Sequence, residues 1–96
     1  GDTWQDLAIE ASGHILAAGT RFGVGVGVFR VDPATGARTA LSTGAPWVDP
    51  MAVAVGTGGQ VYVADAGTCS EASCTGSQVV QVDPITGAVR ASSAKM

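Results

Sequence analysis

Side chains able to do chemistry are few and scattered in this 96-residue chain. The single histidine, His14, follows Ser12-Gly13 at the exit of an expected hairpin. A catalytic histidine needs a partner held within hydrogen-bond reach, and none is apparent, so His14 is expected to be solvated or packed. Ser70, Ser73 and Ser77 lie in no nucleophile-elbow pattern and have no adjacent base. Asp65 and Glu71 flank the cysteine loop and could form a weak cation site; a turn-capping and solvated role is the plainer one. Cys69 and Cys74 are separated by Ser70-Glu71-Ala72-Ser73. A short-range disulfide would clip that polar loop in an oxidising compartment. Two free thiols are the alternative. A metal centre needs about four suitably spaced ligands, and only His14, far along the chain, is left to help.

Two further features invite a functional reading. Trp4 and Trp47 each precede a strand-like run and could act as platforms for a sugar or peptide, or could fill wedges between packed sheets. The run Gly23-Val24-Gly25-Val26-Gly27 could be mistaken for a phosphate-cradling loop. A dinucleotide fingerprint requires G-x-G-x-x-G between a strand and a helix. Here Val alternates with Gly, which reads as a strand with glycine on one face, admitting close approach of a neighbouring sheet. No catalytic residue, cofactor site or metal site is assigned.

The elements that position these residues come in two copies. Leu7–Ala18 aligns with Val53–Ala64 at an offset of 46 residues, and Phe29–Ala37 with Val80–Ala88 at an offset of 51. The difference is an insertion in the second copy, where Cys69 and Cys74 lie. Trp4-Gln5-Asp6 also echoes Trp47-Val48-Asp49. A period in the mid-forties to about fifty fits a four-stranded propeller blade. Strands are expected near 7–10, 14–18, 24–31 and 37–41, and again near 52–55, 60–64, 78–82 and 88–92. They are short, rich in Val and bounded by turn residues. Asp32-Pro33-Ala34-Thr35-Gly36 and Asp83-Pro84-Ile85-Thr86-Gly87 supply the turn chemistry: Asp accepts a backbone N–H, Pro presets the first corner and Gly takes the left-handed position. No capped helical pattern appears, so little or no helix is expected.

Composition sets the class. Hydrophobic residues make up 46% and charged residues 14%, too apolar for disorder. The net charge is −3, with the five basic residues spread singly, whereas nucleic-acid binders carry a basic patch. No basic amphipathic segment suggests a membrane surface, and no apolar run reaches transmembrane length.

The stretch Met51–Asp65 resembles the first half of an NHL-type propeller repeat: an apolar strand, a Gly-containing turn, then a strand ending Val-Ala-Asp. The Val-Asp-Pro-x-Thr-Gly element at Val31–Gly36 and Val82–Gly87 is similar to that of bacterial proteins of this group. The resemblance spans nearly the whole chain and implies an all-β fold of two four-stranded antiparallel β-propeller blades, residues 1–46 and residues 47–96, the second with the cysteine loop inserted. The first copy departs from the pattern, ending Ala17-Ala18-Gly19 where the family has Asp. Gluconolactonase-type relatives hold a metal through Glu, Asp and Asn, but this chain has no Asn. Streptogramin-lyase-type relatives use His and Glu, but His14 stands alone. Neither catalytic set transfers.

Two blades leave apolar faces without neighbours, and a ring takes about four to eight blades. Completion by identical chains (three would give six blades), completion by a longer parent protein, or a small two-sheet sandwich are the alternatives. The expected function is a non-catalytic binding or assembly module whose partners are other propeller blades, with a protein or carbohydrate ligand conceivable and no nucleic acid. A fragment of a propeller lyase or lactone hydrolase, or a sugar-binding lectin-like oligomer, is the alternative. The cysteine pair and the family tendency imply a secreted or periplasmic bacterial location.

Overall fold

Alternation of valine with small or polar residues produces strands buried on one side, the period-two pattern that sets one face against a core. The computed structural model describes residues 3–21, 23–44, 47–69 and 73–94, apart from the side chains at 69, 74 and 91–94. Sheet 1 is a meander of β1 (Thr3–Ile9), β2 (Ile15–Arg21), β3 (Gly25–Val31) and β4 (Arg38–Thr43). Sheet 2 comprises β5 (Pro50–Val55), β6 (Val61–Asp65), β9 (Gln78–Val82) and β10 (Val89–Ala94), in that spatial order. Between β6 and β9 projects a small hairpin of β7 (Thr68–Cys69) and β8 (Cys74–Thr75). All pairings are antiparallel. The described residues contain no helix.

The eight expected strands are therefore present, and the repeat holds down to register. Leu7 faces Ala17, which faces Phe29; at the equivalent places Val53 faces Val63, which faces Val80. The first strand of each sheet shifts register at the same site, between Trp4 and Asp6 in one and between Pro50 and Ala52 in the other. The outer strands differ: the irregularity falls at Leu41 in β4 and at Arg90 in β10.

The Asp-Pro-x-Thr-Gly turns share their main bonds, and Asp83 accepts in addition from Thr86 N–H and Arg90. Gly36 N–H donates to the Asp32 carbonyl at 2.7 Å and Gly87 N–H to the Asp83 carbonyl at 2.9 Å. Asp32 Oδ1 accepts from Ala34 N–H at 2.9 Å, and Asp83 Oδ1 from Ile85 N–H at 2.8 Å. Thr35 Oγ1 and Thr86 Oγ1 each accept from the N–H two residues on. Each side chain thus occupies a backbone group that the reversal would otherwise leave open.

The sheets stack face to face. Val53, Val61, Val63, Val80 and Val82 of sheet 2 pack against Leu16, Ala18 and Val28 of sheet 1, with Ala8, Val26, Leu41 and Val55 at the margin. Burying a valine side chain is worth roughly 1.5–3 kcal/mol, so this layer is the main apolar contribution to the fold. The glycine face of the Val-Gly run behaves differently from the expectation. The backbone that crowds Gly27 belongs to Ser42 and Thr43 of the adjacent strand β4, not to a neighbouring sheet. A Cβ there would strike the Ser42 carbonyl oxygen.

Candidate functional site

Asp65 terminates β6 and is 2% exposed. Its Oδ2 accepts from Val48 N–H at 2.9 Å, and its Oδ1 accepts from Asp49 N–H at 3.1 Å and Gly67 N–H at 2.7 Å. One carboxylate thereby ties the approach to β5 to the end of β6 and the start of the inserted hairpin. Buried carboxylates persist where several donors surround them. The turn capping expected for Asp65 matches this geometry, but the solvated placement expected with it does not: three backbone donors let the carboxylate sit buried. Glu71, its suggested companion, lies outside the described residues, as does Ser70.

The two tryptophans occupy unlike places although their sequences echo one another. Trp47 is 6% exposed, within the apolar layer between the sheets. Its Nε1–H donates to Ser42 Oγ at 2.8 Å. A ring so enclosed packs and offers no face to a ligand. Trp4 belongs to β1 itself, opposite Gly19. It lies half-buried on the other side of sheet 1, edge-on to Phe29 with ring centroids 5.4 Å apart at 62°. The echo is thus not a structural equivalence: β1 begins at Thr3, whereas β5 begins three residues after Trp47.

Cys69 and Cys74 face one another directly across the β7–β8 pair. The disulfide expected between them concerns side chains outside the described set. His14 is half-buried, with Nδ1 3.0 Å from Ser12 Oγ, a contact within its own turn. Among the described residues no group of three or more His, Cys, Asp or Glu side chains is placed to hold a metal ion.

Two polar links missed by sequence reasoning join the sheets. Arg30 of β3 forms a two-pronged ion pair with Glu10, Nε to Oε1 at 2.7 Å and Nη2 to Oε2 at 2.9 Å. The same Nη2 donates to the Pro84 carbonyl of sheet 2 at 2.6 Å. Hydrogen bonding to Glu10 raises the Arg30 pKa above its ordinary value. The second link runs from Val53 N–H on β5 to Asp6 Oδ2 at 3.0 Å. Neither has a sequence cue, because their partners lie 54 and 47 residues away.

Each sheet also has an outer apolar face, on the side turned away from the other sheet. On sheet 1 it carries Trp4, Leu7, Ile9, Ala17 and Phe29; Leu7 is 57% exposed and Ile9 71%, whereas Ala17 and Phe29 are fully buried, Phe29 with the Trp4 ring against it. On sheet 2 it carries Ala52, Ala54, Ala64, Val79 and Tyr62, the last 39% exposed. The architecture is thus that of an all-β protein built from two stacked four-stranded antiparallel sheets. No protein-family model, curated protein or solved structure matches the chain.

Proposed function

We propose that the chain is a propeller-type repeat module, two blades of the NHL kind, that works by binding and assembly rather than by catalysis. The observation that carries this reading is the exposed apolar side chains on both outer faces of the stacked unit, Leu7 and Ile9 on sheet 1 and Ala52, Ala54 and Tyr62 on sheet 2. Soluble proteins seldom leave such faces bare unless a partner covers them, and repeat units of this type reach stability by stacking neighbours. The polar groups support it from the other side. Asp6, Asp32, Asp65 and Asp83 hold backbone N–H groups, and Glu10 is engaged by Arg30. Their chemistry is spent on architecture. Other blades of the same type are the partners best suited to faces of this shape.

Light scattering over a range of concentrations tests the reading. The chain weighs 9.5 kDa. A mass that is a whole multiple of this value supports assembly by identical chains. A mass that stays at that of one chain at every concentration refutes it.

A further inference from the structure

The two faces joined inside the chain have repeat equivalents on its two outer surfaces. Val53, Val55, Val63 and Val80, which line the joined face of sheet 2, correspond to Leu7, Ile9, Ala17 and Phe29 on the outer face of sheet 1, where Leu7 and Ile9 are exposed and Ala17 and Phe29 are buried beneath them and Trp4. Ala8, Ala18 and Val28, on the joined face of sheet 1, correspond to Ala54, Ala64 and Val79 on the uncovered face of sheet 2. The chain therefore carries both halves of its own internal interface, one half on each outer surface. We infer that a second copy of the chain docks head to tail, the outer face of sheet 2 in one copy covering the exposed Leu7 and Ile9 on the outer face of sheet 1 in the next. This inference rests on the assembly reading above and adds which face meets which.

The repeat selects this occupant. Sheet 1 projects Leu7 and Ile9, and sheet 2 offers Ala54 and Ala64 beside Tyr62, the equivalents of the valines and of Ala8, Ala18 and Leu16 that meet between the joined sheets. On sheet 1 the outer face also holds Arg21, on the same side of β2 as Ala17. Arg21 Nη1 reaches past β3 to donate to the Arg38 carbonyl of β4 at 3.1 Å; the docked copy leaves that hydrogen bond in place. A sheet 1 face against another sheet 1 face would set large residues against large ones and leave the sheet 2 face, with Tyr62, bare. The contact is heterologous, so it propagates until a rotation closes it. For a ring of about four to eight blades, two to four copies suffice.

The new contact is weaker than the internal one. Asp6, Glu10 and Arg30, which link the joined sheets, are replaced at equivalent positions by Ala52, Gly56 and Gln81. Association is therefore expected to depend on concentration.

The test uses two variants of the full chain, Leu7→Arg on sheet 1 and Ala54→Arg on sheet 2, both at exposed positions so that the circular dichroism spectrum stays that of the parent. Each buries an arginine in the contact and weakens association by about 100-fold or more. Sedimentation is expected to show the parent as a multimer and each variant alone as a monomer. An equal mixture of the two variants is expected to form a one-to-one dimer and stop there, because each supplies the face the other has lost. If either variant still self-associates, or if the mixture stays monomeric, head-to-tail docking is overturned while assembly stands. If the parent itself remains a single chain at all concentrations, both the docking and the assembly reading fall.

Discussion

The Asp6 carboxylate of sheet 1 accepts a hydrogen bond from the Val53 N–H of sheet 2 at 3.0 Å. Val53 lies on β5, an edge strand, and its side chain enters the apolar layer. An edge N–H turned toward a neighbouring sheet loses water without gaining a ladder partner, unless a side chain supplies one. Asp6 supplies it. Asp6→Ala should lower unfolding stability by about 1–2 kcal/mol, the cost of a partly buried donor left unmatched. Asp6→Asn keeps an acceptor oxygen and should lose less. Urea unfolding of the three proteins, with equal slopes and shifted midpoints, checks the ordering; equal midpoints for Ala and wild type would discard the link.

The glycines that close the two Asp-Pro-x-Thr-Gly turns offer an internal control. Gly36 has φ +76° and Gly87 φ +78°, so alanine at either costs about 1–2 kcal/mol for the left-handed backbone. Their surroundings differ. A Cβ on Gly36 meets open space, whereas one on Gly87 meets the Leu41 carbonyl of sheet 1. Gly87→Ala must therefore also push the sheets apart, and should destabilise the protein clearly more than Gly36→Ala. Thermal unfolding of the pair measures the difference. Equal losses would mean that the β9–β10 turn does not press on β4.

Acid should loosen the same turn. Hydrogen bonds from the backbone N–H groups of Thr86 and then Ile85 hold the Asp83 carboxyl below the usual carboxylate range, and Arg90, 2.8 Å away, adds to the effect. A depressed folded value means the contribution is complete above the ordinary carboxylate pKa and disappears as pH falls through the depressed one. Stability should thus decline across the acid range with a component that Asp83→Asn removes. Chemical denaturation at stepped pH reads it as a flatter profile for the variant. An unchanged profile would show that the carboxylate contributes nothing there.

These expectations rest unevenly on what was legible in the chain. Strands and turns were readable because they are local: valine alternation and the Asp-Pro-x-Thr-Gly grouping act within a few residues. The repeat extended that reading to register, as the equivalent shifts at Trp4 and Pro50 attest. Trp4 and Trp47 misled for the same reason. Their flanking residues match, but β1 starts before its tryptophan and β5 after, and the strand start decides which side of a sheet a ring occupies. Gly27 was recognised as a close-approach site, yet which backbone approaches is a property of pairing across the sheet. Arg30 and Asp6 looked like ordinary strand residues because their roles exist only once the two sheets meet.

Asp65 carries the steepest prediction, since one buried carboxylate holds three N–H groups from three separate positions. Removing it leaves one buried and two partly buried donors without their acceptor. Asp65→Ala should cost about 3 kcal/mol or more, at the upper end for a single buried polar deletion. Asp65→Asn keeps one acceptor oxygen but points an amide group at a backbone donor, so it should recover only part of the loss. The damage should be local first. Hydrogen exchange at Val48, Asp49 and Gly67 should accelerate before exchange at Val63 or Val80 in the core, because the capped segment can open while the valine layer stays packed. If those three amides remain as protected as in the wild type, the carboxylate is not what fixes the junction between β5 and β6.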